Sequence, residues 1–209
     1  DPTIFKPLPQ NIAIRKKYGL SKSDFIAIYI GGFYPWHGLN NVIEVANLLR
    51  SNQITDIKFL LMGEGEVRNS LIQQVKQNHL EDCIKLPGRI PFDQVPEHLA
   101  NADTALSLNT GDSIGFKLLE YMASGTPIIA TNADILHLIA RDQHDLLMID
   151  VNQPEELYEK LVFLKNNPAI RRKIGQNARN KVIRLYSWTQ HYQNIVKGIQ
   201  KILQQKTTK

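Results

Sequence analysis

Two carboxylates near the start of a helix-like segment have a spacing that suits a polar ligand. In the stretch NTGDSIGFKLLEYMASGTPIIAT, residues 109–131, Asp112 and Glu120 are eight positions apart and Gly115 lies between them. If the intervening residues are helical, a rise of 1.5 Å per residue places the two acids about 12 Å apart along the chain. Backbone N–H groups at a helix start favour phosphate, and carboxylates accept several hydrogen bonds from sugar hydroxyls. The pattern therefore favours a nucleotide-sugar, whereas either acid taken alone is explained by a surface charge.

Six apolar runs have the length and continuity of strands that are buried on both faces. They alternate with segments of helical periodicity and span residues 24–32, 57–65, 83–88, 104–109, 126–132 and 145–150. Residues 154–165 predict a further helix, because a proline suits its first turn. Alternating strands and helices build a parallel sheet that helices cover on both sides. The sequence therefore predicts a single α/β domain over residues 1–209, a doubly wound, Rossmann-like parallel sheet of about six strands.

The carboxyl-terminal residues 187–204 have a separate, amphipathic pattern. Ser187, followed three residues later by Gln190, is typical of a capping box at a helix start. Apolar side chains then recur on one helical face: Trp188, Tyr192, Ile195, Val196, Ile199, Ile202 and Leu203. A doubly wound domain of this size is complete by about Tyr186, so this helix is additional to it. It either packs on its own domain or docks on a second one.

The turns that follow the strands are candidate ligand sites, because ligands bind open parallel sheets at the carboxyl ends of the strands. After the first strand, Gly31 and Gly32 permit close approach of the backbone to a ligand. His37 and Gly38 stand just before the next helix, where free N–H groups favour an anion. An aromatic loop that packs over the sheet edge explains this turn equally well.

Two further turns narrow the kind of ligand. Residues 62–66, MGEGE, lack the third glycine of the dinucleotide-binding fingerprint, and no acid ends the following strand. A nicotinamide cofactor is therefore disfavoured. The turn after the third strand exposes backbone around Arg89 and Ile90, which is suited to the flat edge of a base.

The composition is ordinary for a soluble globular protein. The chain has 209 residues, 43% hydrophobic and 22% charged, which argues against disorder, and its apolar runs are far shorter than the roughly 20 residues of a membrane span. The formal charge of +5 favours anionic partners, but much of it lies in residues 170–184, where a solvated helix face is the favoured explanation. No pattern indicates a nucleic-acid module or a metal site.

The single cysteine, Cys83, suits a small core residue in a reducing compartment. The chain begins with Asp1 and no methionine, so we expect a fragment that lacks an amino-terminal part.

Taken together, these residues resemble the retaining glycosyltransferases of family 4. The acids eight apart resemble the E-x7-E signature of that family, and four other segments fall in its order and at its spacing, namely residues 30–49, 58–75, 84–108 and 166–188. Members have the GT-B fold, two Rossmann-like domains with the active site in the cleft. This chain resembles the carboxyl-terminal, donor-binding domain, and the resemblance implies that the 187–204 helix crosses back onto the amino-terminal domain.

The resemblance implies roles for individual residues. Glu120 would hold the ribose hydroxyls and Asp112 the transferred sugar, and these two are the predicted catalytic residues. The implied donor-binding residues are Gly32, His37, Gly38, Arg89, Ile90, Ser113, Ile114, Gly115, Phe116, Lys117 and Leu118. The donor would be a UDP- or GDP-hexose, with no metal and no other cofactor. The partners would be the nucleotide-sugar and the amino-terminal domain of the same polypeptide, not nucleic acid. We expect a cytoplasmic enzyme, with peripheral contact to the inner membrane face left open.

The chain departs from the family pattern at three positions. Asp112 stands where most members have glutamate, and its arm is one methylene shorter. Many members bind the diphosphate with an arginine and a lysine, but here these positions hold Phe33 and His37. Neutralisation of the phosphates then falls to backbone amides, to His37 and to Lys117 or Arg89.

The favoured function is the donor domain of a retaining hexosyltransferase that acts on a hydroxyl acceptor in a glycan, a lipid or another molecule, in polysaccharide or glycolipid biosynthesis. The chain alone would be inactive without its amino-terminal domain. The alternative is a binding or scaffold module of the same fold without turnover, and a sugar-nucleotide epimerase is a third, less favoured candidate.

Overall fold

The computed structural model describes residues 1–111, 115–150 and 153–207, and in them a six-stranded parallel sheet. The strands are β1 (Phe25–Ile30), β2 (Ile57–Met62), β3 (Ile84–Lys85), β4 (Thr104–Ser107), β5 (Ile128–Thr131) and β6 (Leu147–Ile149). Their order is β3-β2-β1-β4-β5-β6, and every neighbouring pair is parallel. The predicted doubly wound α/β fold is therefore confirmed. The strand order reverses between β1 and β4, which places a crevice at the carboxyl ends of these two strands.

Nine α-helices are described in the same residues, together with two short 3-10 helices, Pro35–His37 and Phe92–Gln94. The α-helices are α1 (Ile12–Lys17), α2 (Asn40–Ser51), α3 (Arg68–Gln77), α4 (Val95–Ala100), α5 (Gly115–Ser124), α6 (Asp134–Ile139), α7 (Pro154–Asn166), α8 (Pro168–Tyr186) and α9 (Trp188–Thr207). Within the described residues, no helix is both long enough and apolar enough to cross a bilayer.

Two apolar cores cover the two faces of the sheet. Alternate residues of β1 enter different cores, Ala27 and Tyr29 on one face and Ile26 and Ile28 on the other. Helices α2, α3 and α7 supply the first core, and α4, α5 and α8 supply most of the second. Because both faces are buried, the strands have continuous apolar sequences in place of alternating ones.

The lead-in before β1 contains the short helix α1, which the sequence pattern did not predict. The Asn11 side chain caps it by accepting a hydrogen bond from the Ala13 N–H at 3.0 Å. Arg15 of this helix is buried, and its terminal nitrogens donate to four backbone carbonyls, those of Ser21, Lys22, Asp24 and Asn101. The helix is therefore stabilised by tertiary contacts of a charged side chain, which local periodicity does not reveal.

An ion-pair network joins the amino ends of β1 and β4. Asp103 pairs with Arg15 at 3.3 Å and with Arg171 of α8 at 3.1 Å, and it accepts the Ile26 N–H at 2.9 Å. This network, which we call the amino-edge network (Arg15, Asp103 and Arg171), leaves each charged group with an internal counterion.

The basic segment of α8 is not only a solvated face, as the sequence analysis favoured. Arg171 belongs to the amino-edge network, Lys181 pairs with the buried Asp145 at 2.9 Å, and Arg179 donates to the backbone carbonyls of Phe5 and Ala123. The Lys181 and His144 contacts hold the pKa of Asp145 below its ordinary value although its burial acts the other way. Three of the basic side chains therefore hold the fold together.

The terminal helix α9 confirms the predicted helix but not the whole capping box. The Gln190 N–H donates to Ser187 Oγ at 3.3 Å, whereas the Gln190 side chain donates to Asn194 and does not return to the cap. The seven apolar side chains of its predicted stripe are all exposed, by 44–62% of their surface. The stripe does not pack on this domain.

Candidate functional site

Two adjoining cavities open at the carboxyl ends of β1, β2 and β4, where the strand order reverses. The larger encloses about 590 Å³ and the smaller about 290 Å³, and both are lined by Gly32 and Lys117. The larger is also lined by Ile30, Gly31, Tyr34, Met62, Gly63, Glu64, Gly65, Arg89, Ile90, Phe92, Val95, Glu120 and Tyr121. The smaller is also lined by Trp36, His37, Asn109, Gly111, Gly115 and Phe116. Together they have the size and the polar lining of a site for a small polar ligand.

The turn after β1 forms one wall of both cavities. Tyr34 and Trp36 stack at 4.9 Å between ring centroids, and the Trp36 carbonyl accepts hydrogen bonds from the Thr110 N–H and hydroxyl. Gly38 has a φ of +62°, and a side chain there would collide with the Leu108 carbonyl. The turn therefore has the packed aromatic loop of one interpretation, and it also lines the cavities, as the ligand-binding interpretation requires.

Phe33 stands where many family 4 members are expected to have a phosphate-binding arginine, and its side chain is fully buried. It packs beneath the glycine turn after β2, where a side chain at Gly63 would collide with the Gly31 carbonyl and one at Gly65 with the Phe33 backbone. The glycines of MGEGE thus serve close packing of two turns, and the Phe33 side chain does not line either cavity.

A polar cluster of the buried Tyr29 and the half-buried His37 and Lys117 lies between the two cavities. The Tyr29 hydroxyl donates to the Gly32 carbonyl at 2.7 Å, accepts from Lys117 Nζ at 3.1 Å and lies 2.9 Å from His37 Nδ1. Lys117 also donates to Asn109 Oδ1 at 3.2 Å, and its Nζ lies 4.4 Å from the Tyr29 ring centroid. Burial lowers the pKa of Lys117 to about 8. We call these three residues the cation cluster.

Helix α5 carries Glu120 to the edge of the larger cavity. The neighbouring Tyr121 fixes the helix against β1, because its hydroxyl accepts the Ile30 N–H at 2.9 Å and donates to the Ile30 carbonyl at 3.0 Å. Glu120 is half-buried, and this burial raises the pKa of its carboxyl. A half-buried carboxylate at a cavity edge is suited to accept hydrogen bonds from ligand hydroxyls.

The turn after β3 closes the far side of the larger cavity. Arg89 is exposed and Ile90 half-buried, and both line the cavity. Glu64, from the turn after β2, pairs with Arg68 at 3.3 Å, so its charge is already compensated. Within the described residues, no group of three or more histidine, cysteine and carboxylate side chains is arranged to hold a metal ion.

The structure brings most of the predicted site residues together. Those that line the two cavities are Gly32, His37, Arg89, Ile90, Gly115, Phe116, Lys117 and Glu120. Gly38 is buried and lines neither cavity, and the Leu118 side chain is in the core under α5. Asp112, Ser113 and Ile114 lie outside the described residues.

Tyr29 is the site residue that the sequence analysis missed. It lies inside a strand of core residues, and its side chain is fully buried. The available signal was a lone hydroxyl within an aliphatic run, because a buried tyrosine hydroxyl needs a polar partner.

The sequence matches the family Glycosyl transferases group 1 over residues 10–181. The chain belongs to this family. N-acetyl-alpha-D-glucosaminyl L-malate synthase of Bacillus anthracis is 29% identical over 81% of this chain and 43% of that protein. Anabaena HepE, solved in complex with UDP, has a TM-score of 0.84 at 19% identity over 96% of this chain and 55% of that chain. The C-terminal domain of LpcC from Francisella tularensis, a group 1 family protein, has a TM-score of 0.77 at 24% identity over 90% of this chain and 98% of that one.

Like its structural neighbours in the Glycosyl transferases group 1 family, the chain has a Rossmann-like architecture of the GT-B type. It spans about half the length of the curated relatives it matches. The two cavities lie in this fold at the sheet edge where doubly wound proteins bind nucleotides.

Proposed function

We propose that this chain is the donor-binding half of a retaining glycosyltransferase of family 4, and that its two cavities hold a nucleoside diphosphate hexose. The observation that carries the proposal is the juxtaposition of Glu120, Lys117 and the amino terminus of α5 around adjoining cavities. Ribose hydroxyls would bind Glu120, and the base would lie against the turn of Arg89 and Ile90. The similar fold of Anabaena HepE, solved with UDP and with UDP-glucose, supports a uridine nucleotide over a guanosine nucleotide.

Catalysis in this proposal depends on stabilising the departing nucleoside diphosphate. As the bond between the sugar and the phosphate oxygen breaks, negative charge grows on the diphosphate. The Lys117 ammonium and the free N–H groups at the start of α5 would stabilise that charge in a partly water-excluded site. Asp112, which lies outside the described residues, would contact the sugar, and the acceptor hydroxyl of a glycan or lipid would enter from the other half of the enzyme.

The remaining half of the enzyme would cover α9. An apolar cavity of about 660 Å³ lies between α5 and the junction of α8 with α9, and it shares Glu120 with the larger donor cavity. Exposed aromatic side chains line it, including Phe116, which is 83% exposed, and Trp188, which is 59% exposed. We propose that the amino-terminal domain of the longer polypeptide packs on this surface and on the α9 stripe, so that the chain alone has negligible transferase activity.

Calorimetric titration of the 209-residue chain with UDP and with GDP tests donor binding. We expect UDP to bind, and Glu120→Gln to weaken binding by about 30-fold, because hydrogen bonds to a charged group contribute about 2 kcal/mol. The matched control is Glu159→Gln, which removes an exposed carboxylate of α7, outside the residues that line the cavities. Unchanged UDP affinity in Glu120→Gln would contradict the assigned role, and absence of binding by either nucleotide would contradict the donor site.

Turnover distinguishes an enzyme from the alternative, a binding module of the same fold. The buried Phe33 keeps that alternative open, because it leaves fewer cationic side chains around the phosphates. The longer polypeptide should hydrolyse or transfer sugar from UDP-hexose with retained configuration, measured by NMR of the anomeric proton. Tight binding without any product would favour the module.

A further inference from the structure

We propose that Tyr29 is a positioning residue of the donor site, which orders His37 so that its Nε2 takes up a proton when a diphosphate enters. The inference rests on the proposed function, because the diphosphate is that of the donor. Tyr29 itself is expected to touch no ligand. It acts through His37 and Lys117, the other two members of the cation cluster.

The hydrogen-bond pattern assigns the proton on the His37 ring. Nδ1 lies 2.6 Å from the Gly32 carbonyl oxygen and 2.9 Å from the Tyr29 hydroxyl. A carbonyl oxygen only accepts, so a contact of 2.6 Å requires a proton on Nδ1. The Tyr29 hydroxyl donates to the same carbonyl at 2.7 Å, and its oxygen accepts from Lys117. The Gly32 carbonyl therefore requires the Nδ1–H form, and the Tyr29 hydroxyl oxygen supports this form as a second acceptor for the Nδ1 proton.

The other ring nitrogen is then the one that titrates. His37 lines the smaller cavity, and its Nε2 forms no hydrogen bond with any of the described residues. In the neutral Nδ1–H form, Nε2 carries a lone pair and repels an anion. After it gains a proton, it donates a charge-assisted hydrogen bond to a phosphate oxygen.

Burial and the neighbouring ammonium disfavour the charged form of His37 in the ligand-free protein. Burial first, and the charge of Lys117 second, lower the pKa of His37 below its ordinary value. Burial keeps the Tyr29 hydroxyl protonated, since it raises the pKa of Tyr29 well above the ordinary range. Helix α5 also faces this cluster. Its acid Glu120 lines the same cavity as Lys117. Its Tyr121 is a second, smaller cause of the raised pKa of Tyr29. Asp112 belongs to the turn before α5 and lies outside the described residues.

A bound diphosphate reverses this balance. Its negative charge near His37 favours the imidazolium, so the pKa of His37 is higher in the complex than in the free protein. Between these two values, each binding event takes up a fraction of a proton from the solvent, and affinity rises as the pH falls. A lysine at the position of His37, which the resemblance implies for many family members, would stay charged, and donor affinity would then not rise as the pH falls.

Calorimetry in several buffers measures the proton uptake. UDP is titrated into the 209-residue chain at pH 6.5 in buffers that differ in ionisation enthalpy, and the slope of the observed heat gives the protons taken up. We expect wild type to exceed His37→Asn by roughly half a proton per UDP. The asparagine amide retains a donor for the Gly32 carbonyl and removes Nε2, and the protonation of UDP itself cancels between the two proteins. Equal uptake in the two proteins would overturn the proton assignment.

Tyr29→Phe tests the positioning role. It keeps the ring beneath Lys117 and removes the hydroxyl, so we expect UDP affinity to fall about fivefold, the equivalent of one neutral hydrogen bond. In the ring ¹⁵N spectrum of the ligand-free protein, we expect a weaker preference of His37 for the Nδ1–H form, because one of the two acceptors of the Nδ1 proton is removed while the Gly32 carbonyl remains. Wild-type affinity together with a wild-type His37 spectrum would overturn the proposal.

The matched control is Tyr18→Phe, because the chain contains a second tyrosine–histidine pair away from the cavities. The Tyr18 hydroxyl lies 2.9 Å from His98 Nε2, and His98 Nδ1 lies 2.7 Å from the Gln94 carbonyl oxygen. Loss of the Tyr18 hydroxyl should lower the free energy of unfolding without changing UDP affinity or proton uptake.

If wild type binds no UDP, the proposed function and the proton uptake both fail, whereas the ligand-free spectra of wild type and Tyr29→Phe still test the role of Tyr29. If Tyr29→Phe does not fold, the comparison of wild type with His37→Asn decides the proposal.

Discussion

At the amino edge of the sheet, Arg15 and Arg171 share the carboxylate of Asp103, and the fold itself supplies every counterion. At the carboxyl edge, Lys117 and Glu120 are half-buried, yet neither forms an ion pair with any of the described residues. Their pKa values shift toward the neutral forms, downward for Lys117 and upward for Glu120, and burial is the main cause of both shifts.

The two edges differ because their charges serve different purposes. Charges that are paired internally are compensated within the fold, so the loss of one partner destabilises it, and the pair leaves no capacity for a ligand. Charges that are half-buried and unpaired cost folding free energy, and a ligand of the right charge removes that cost when it binds. The two tyrosine–histidine pairs differ in their surroundings, since His37 lines the smaller cavity whereas neither Tyr18 nor His98 lines either of the two cavities.

The largest expected effect is on stability at the amino edge. Asp103→Ala removes the shared counterion and leaves the buried Arg15 uncompensated, which should lower the free energy of unfolding by about 3–5 kcal/mol. Urea denaturation measures this change, and UDP affinity of the folded protein should stay at the wild-type value. A loss of less than about 1 kcal/mol would remove the contrast between the two edges.

The next effect is on binding at the carboxyl edge. Lys117→Met keeps a chain of similar length and removes the ammonium, so UDP affinity should fall about 10- to 30-fold. Stability should not fall, and should rise by up to about 1 kcal/mol, because the variant lacks a half-buried charge that has no ion-pair partner among the described residues. A variant that is both unstable and normal in UDP binding would place Lys117 with the structural charges.

The pH dependence of stability gives a smaller effect with a defined sign. The pKa of Lys117 is about 8 in the folded protein, below the ordinary value of about 10.4 for lysine in an unfolded chain. Below pH 8 the ammonium is charged in both states, and its burial destabilises the fold. As the pH rises from 8 to 10.4, that destabilisation is relieved. The unfolding free energy of wild type should therefore rise relative to that of Lys117→Met over this interval, and two parallel curves would contradict the shift.

The smallest effect concerns α9, which belongs to neither edge. Ile199→Gln changes a side chain that is 53% exposed and should alter the unfolding free energy of this chain by less than about 0.5 kcal/mol. Leu161→Ala, on the buried face of α7, is the matched reference and should lower the free energy of unfolding by about 2–5 kcal/mol. A large loss in Ile199→Gln would mean that the α9 stripe packs on this domain after all.

Much of the fold was predictable from the sequence because both faces of the sheet are covered. Strands such as β1 and β2 are then continuous apolar runs. Helices such as α7 begin with a residue that is typical of a first helical turn, here Pro154. The site was predictable in part, since the position of Glu120 and Lys117 at a turn after a strand follows from the topology. The role of Tyr29 and the inward pairing of Arg171 and Lys181 were not predictable, because they depend on partners that are remote in sequence.

The hydrogen bonds between Thr110 and the Trp36 carbonyl have a practical consequence. They tie the turn after β1 to the turn after β4, so the indole of Trp36 stands at the smaller cavity and is 54% exposed. The chain has two tryptophans, and the other, Trp188, begins α9. In a Trp188→Phe protein, Trp36 would be the sole indole fluorophore. Its emission would then give an optical signal for occupancy of this cavity, without a label and at micromolar protein concentration.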